Sequence, residues 1–175
     1  MEPAKAQRWA KGNLVKKAAV VLAVAFLVLC LLTFVGCGNG TWANTGGAVS
    51  KFGAGPLVYD STHNILYAGC VQQVGQTVET AKGVWKYDGT TWTNTGGGVS
   101  SYAVSSLVYD SSHNLLYAGA DYALGNGGGG VWKYDGTTWA NIGGGVFSYE
   151  VKAFAYDSVH NVLYAGTENG GVWKY

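Results

Sequence analysis

Three histidines, His63, His113 and His160, each stand three residues after an aspartate: Asp60, Asp110 and Asp157. Asp–His pairs are raw material for acid–base chemistry or for metal ligation. Glu79, Glu150 and Glu168 are the only glutamates after residue 37, and paired carboxylates are what glycoside hydrolysis requires. Glycine runs at Gly46-Gly47, Gly96–Gly98, Gly127–Gly130 and Gly143–Gly145 suggest phosphate cradles at first sight. A phosphate loop, however, needs a following Lys-Ser/Thr and a helix to open, and neither is present. No G-x-S-x-G elbow occurs, and the chain has no arginine after Arg8. Cys70 stands alone beyond Cys37, so that region can form neither an internal disulfide nor a cysteine-based zinc site. The spacing D-x-x-x-N also falls short of a calcium loop. No catalytic set, metal site or cofactor site emerges from these residues.

The elements that carry the histidines explain why. His63 to His113 is 50 residues and His113 to His160 is 47, while Trp85, Trp132 and Trp173 follow at intervals of 47 and 41. The repeated text is LVYDSTHNILYAG, then GVWKYDGTTW, then NTGG. Each copy holds four strand candidates rich in Thr, Val, Tyr and Trp. Strand a is 106–109 in the second copy, b is 115–118, c is 130–134 and d is 138–142. Asp-Ser-x-His-Asn forms the a–b turn and Asp-Gly the c–d turn. Each histidine therefore belongs to the same turn of a different repeat and reads as architecture. Repeats of roughly 40–50 residues made of short strands indicate propeller blades. The expected fold is all-β: a β-propeller-like array of three four-stranded blades, after one N-terminal hydrophobic helix.

The region opens with an isolated strand d at 41–45 and closes on a strand c, with repeats at about 54–95, 104–142 and 151–175. Three blades are fewer than the four to eight of closed propellers. Two expectations follow: a head-to-tail homodimer in which strand d of one copy completes the last blade of the other, or a piece of a longer propeller.

The string Leu-Tyr-Ala-Gly, Gly-Val-Trp-Lys-Tyr-Asp-Gly-Thr-Thr-Trp resembles the repeats of two-component-regulator-type propellers, "D-x-x-G-N-L-W-x-G-T-x-x-G-G-l-x-x-Y-D-G". The resemblance covers Trp42 to Tyr175, with His63, His113 and His160 where that family favours Gly, and Tyr67, Tyr117 and Tyr164 for its Trp. It implies blade architecture, which hosts sensors, lectins and enzymes alike. Asp88-Gly89-Thr90-Thr91-Trp92 is similar to the sialidase Asp-box but lacks the residue between Asp and Gly, so no sialidase chemistry is implied.

The first 37 residues read as an address. Ala18–Val35 is apolar apart from Thr33 and follows Lys16-Lys17, the pattern of a secretory signal. Val35-Gly36-Cys37 resembles a lipobox, with Cys37 the lipidated residue, although Phe34 stands where Leu is usual. An uncleaved signal anchor is the alternative, since eighteen residues can just span a bilayer. Either way residues 38–175 lie outside the cytoplasm, tethered to the cell-envelope membrane. They hold six Lys and nine acids, so no basic surface is available for nucleic acid.

Strands alternate in direction across a blade, so the b–c and d–a loops share one face. Those loops vary between copies, whereas the a–b and c–d turns barely do. Phe52, Tyr102, Tyr122, Tyr149 and Glu150 are the candidate ligand-binding residues, an aromatic and mildly acidic surface suited to glycan or peptide. The expected function is a non-enzymatic, envelope-anchored propeller module that binds a ligand or protein. A propeller-based carbohydrate-active enzyme and a fragment of a larger sensor are the alternatives.

Overall fold

The computed structural model describes residues 41–51, 53–71, 83–121 and 129–175. Asn44–Tyr175 form one compact unit, and Met1–Ala43 are assigned to another. The hydrophobic run Ala18–Val35, with the helix expected there, Cys37, Phe52 and Tyr122 lie outside the described residues. No helix among the described residues is long and apolar enough to cross a membrane.

The unit is all-β, with three antiparallel sheets. The first contains β1 (Gly53–Asp60), β2 (Ile65–Val71), β3 (Val84–Tyr87) and β4 (Trp92–Asn94). The second contains β5 (Val104–Asp110), β6 (Leu115–Ala120), β7 (Gly130–Tyr134) and β8 (Trp139–Asn141). The third has three strands, β9 (Val151–Asp157), β10 (Val162–Thr167) and β11 (Gly171–Lys174). In every sheet the strands neighbour one another in chain order. The repeat carries through to register. Tyr67 faces Val58 and Lys86, as Tyr117 faces Val108 and Lys133.

Two differences from the sequence expectation stand out. Thr41–Gly46 has no strand structure: a strand needs a backbone ladder to a neighbour, and among the described residues no strand pairs with this segment. In addition, each d–a connection contains a short 3-10 turn, at Ala48–Lys51, Gly98–Ser101 and Gly144–Val146.

The a–b turns are locked by aspartate. Asp60 Oδ1 accepts the backbone N–H groups of Thr62 (2.9 Å) and His63 (3.1 Å), and His63 Nδ1 lies 2.7 Å from Oδ2. Asp110 and Asp157 repeat the arrangement with His113 and His160. The turn closes through Asn64, Asn114 and Asn161 at φ of 58°, 56° and 54°, a left-handed conformation that asparagine tolerates better than most residues.

The core lies between successive sheets, in two clusters. Tyr67 and Val84 of the first sheet pack with Val104, Leu116 and Tyr134 of the second. Tyr117 and Val131 of the second pack with Val151, Leu163 and Ala165 of the third. The b strand of the middle sheet, covered on both faces, reads as an unbroken small and apolar run, Leu-Leu-Tyr-Ala-Gly-Ala. Close approach demands glycine at Gly69 and Gly119. A Cβ there would come within 2.7 Å of Val104 and 2.8 Å of Val151, respectively.

Candidate functional site

The turn face is where the three Asp–His pairs sit, and the first two stand at the junctions between sheets. The Tyr109 hydroxyl, carried by β5, donates to Asn114 Oδ1 of its own turn and stands near Asp60 of the preceding sheet, whose carboxyl it helps to lower. Tyr156 on β9 donates likewise to Asn161 (2.7 Å), lies 3.4 Å from His113 Nδ1 of the preceding sheet and helps to lower Asp110. Burial by itself would raise the Asp60 and Asp110 carboxyls. Hydrogen bonds from His63 and Tyr109, and from His113 and Tyr156, outweigh it and hold both below the ordinary carboxylate range. An ionised carboxylate can only accept, so Nδ1 of each histidine carries the proton and Nε2 points elsewhere. Both aspartates are 1% exposed, whereas Asp157, with no sheet following it, is 32% exposed.

Between the second and third sheets these groups border a polar cleft of about 250 Å³, lined by Asp110, His113, Lys133, Tyr156, Asn161 and Tyr175 among others. It offers hydrogen bonds, but no Ser, Thr or Cys lines it to act as a nucleophile beside the Asp–His pair. The three histidines sit on three separate turns, and among the described residues no three His, Cys, Asp or Glu side chains gather as a metal site would need. Cys70 is fully buried, and burial pushes its thiol up to about 11, which leaves it unreactive at neutral pH.

On the loop face, Tyr102 and Tyr149 occupy equivalent positions, each before the first strand of its sheet. Tyr102 leans on Trp132 and Tyr149 on Trp173, both with ring centroids 5.9 Å apart. Each ring therefore covers the c-strand tryptophan of its own sheet, and each stays half-exposed at its rim. Glu150 behaves differently. Lys152 Nζ lies 2.6 Å from Glu150 and 3.2 Å from Glu168, a bridge that joins the strand a and strand b ends of the third sheet. Lys152 also holds the Glu168 carboxyl below its usual range. Sequence reasoning passed over Lys152 and Glu168 as binding residues, because the two are sixteen positions apart and only the β9–β10 pairing brings them together.

The same backbone bond underlies this place in two sheets. Glu168 N–H donates to Glu150 C=O (2.9 Å), as Asp121 N–H donates to Ala103 C=O (2.8 Å). At Glu150, Lys152 and Glu168 the second sheet has Ala103, Ser105 and Asp121 instead. One scaffold thus carries different chemistry at equivalent points. The chain matches no protein-family model and no curated relative in sequence.

Proposed function

We propose that this chain is a non-enzymatic repeat module of propeller type, tethered to the cell envelope through residues 1–37, whose loop face binds a glycan or peptide. The observation that carries this reading is the contrast just described. The backbone hydrogen bond at the loop face repeats, while the side chains mounted on it change from Ala103, Ser105 and Asp121 to the Glu150–Lys152–Glu168 bridge. Loops positioned by a rigid scaffold are where binding chemistry concentrates. Half-exposed tyrosines beside charged groups suit sugar rings and peptide backbones.

Catalysis by a carboxylate pair is the poorer reading. A proton-donating carboxyl needs a raised pKa, and Lys152 moves Glu168 the other way. On glycan and peptide arrays, the full chain should bind a restricted set of ligands. Tyr149→Ala and Lys152→Ala should each weaken that binding on the order of tenfold or more. Binding that ignores both substitutions, or a hydrolytic activity lost with Glu150→Gln, would sink the proposal.

A further inference from the structure

The exposed large apolar side chains among the described residues are not scattered. Trp42, Leu57 and Tyr59 precede or belong to the first sheet, and Tyr164, Val172 and Tyr175 belong to the third; Val159 sits in a turn, and the middle sheet shows none. The two ends are halves of the junction that the middle of the chain makes twice.

One half is a tryptophan and its slot. Trp139 on β8 stacks on Tyr134 (4.8 Å), donates its indole N–H to Thr95 (3.0 Å) and lies over Gly97, where a Cβ would come within 2.9 Å. Trp92 on β4 repeats this with Tyr87 (5.0 Å), Thr45 (3.1 Å) and Gly47. By the repeat, the third slot is formed by Tyr175, Ile142 and Gly144. That place holds a cavity of about 180 Å³, lined by these three residues, Gly143, Trp173 and others. Trp42, the remaining tryptophan of this series, is fully exposed.

The other half is the polar link. Tyr156 lies 3.4 Å from His113 Nδ1 in the Asp110 turn, and Tyr109 stands near the Asp60 turn in the same way, which leaves Tyr59 (53% exposed) at one end and Asp157 at the other. Tyr67 stacks on Tyr109 (6.4 Å), and Tyr164 at the open end lacks that neighbour. Gly69 and Gly119 press on the next sheet, whereas a Cβ at Gly166 would meet only a carbonyl oxygen at 3.9 Å.

We propose that a second copy of this chain docks head to tail on the third sheet. Residues 41–45 of the incoming copy pair with β11, Trp42 fills the slot of Ile142, Gly144 and Tyr175, and Tyr59 reaches Asp157. The register follows from Tyr87↔Trp92 and Lys86↔Thr93, and from Tyr134↔Trp139 and Lys133↔Ala140. It places Trp42 opposite Tyr175 and Ala43 opposite Lys174. Thr95 and Ile142 donate their N–H groups to Val84 and Val131, so Thr45 donates to Val172. This docking is independent of what the loop face binds.

The test uses full chains in mild detergent. Ala43→Cys and Lys174→Cys are prepared separately, mixed and oxidised, and the disulfide is identified by peptide mass. The mixture should yield a 43–174 intermolecular disulfide at least about tenfold above the out-of-register mixture of Ala43→Cys with Val172→Cys, since a disulfide demands Cα atoms within about 7 Å. Trp42→Ala should weaken association, read by sedimentation, by about tenfold or more. No intermolecular 43–174 bond, or equal yields in both mixtures, would overturn the proposal.

Discussion

The junction between the first and second sheets and the junction between the second and third are built from the same parts, with one part absent from the second. In both, a tyrosine from the later sheet reaches a buried aspartate in the earlier one. In both, a b-strand glycine admits the valine of the following sheet. At the first junction Trp139 closes the slot over Thr95 and Gly97 and joins the core cluster. At the second the equivalent slot is a cavity, and Ile142 stands where Thr95 would accept an indole N–H. The pairing of neighbouring sheets therefore does not require the tryptophan. Strand d delivers a plug that seals a junction already formed by the polar link and the valine contact.

The widest test of this contrast compares the tryptophans. Trp139→Ala should cost about 3 kcal/mol of stability, since it removes a packed aromatic and leaves a cavity. Trp42→Ala should change the stability of the isolated chain by no more than about 0.5 kcal/mol, as expected of an exposed residue. Matched chemical denaturation curves read both, and equal losses would erase the distinction between a filled and an empty slot.

A second comparison concerns the aspartates. Asp110→Ala removes a buried acceptor of two backbone N–H groups and a histidine, and should cost on the order of 2–3 kcal/mol. Asp157→Ala should cost distinctly less, because water already reaches its carboxylate. A larger loss at Asp157, measured by the same unfolding curves, would show that the turn and not the junction carries the energy.

The smallest expected effect is on pH dependence. Asp60 and Asp110 are held below the unfolded carboxylate value of about 4. Their contribution is therefore fully present above that value and is lost as pH falls through the lower folded values. Stability should be flat from neutrality to about pH 5 and decline below about pH 4. Asp110→Ala should shallow that decline. An acid limb that Asp110→Ala leaves unchanged would assign the effect to other carboxylates, such as Asp88 and Asp135. Those two are held well below the usual range by the Thr91 and Thr138 backbone N–H groups and their neighbouring threonines.

Much of the fold was readable because local chemistry repeats. Asp-Ser-x-His-Asn specifies a turn whose Asp caps two N–H groups and whose Asn takes the left-handed conformation, and the structure places the strand a–strand b hairpin there each time. The histidines belong to that turn, and their local partner is the aspartate three residues earlier. The candidate site was less readable. Tyr102 and Tyr149 were visible as loop aromatics, yet their contacts with Trp132 and Trp173 span thirty and twenty-four residues and depend on strand pairing. The strand expected at 41–45 failed for a related reason. Its text matches β4 and β8, but a strand exists only where a neighbour supplies hydrogen bonds.

The sequence alone thus determined the repeat unit, its turns and the order of strands within each sheet, since these rest on contacts between residues close along the chain. Tertiary structure decided which copies of a repeated residue are satisfied. Asp60, Asp110 and Asp157 are written alike, as are Trp42, Trp92 and Trp139. Whether each is buried, bonded or exposed depends on whether another sheet stands beside it, and that is a property of position in the array.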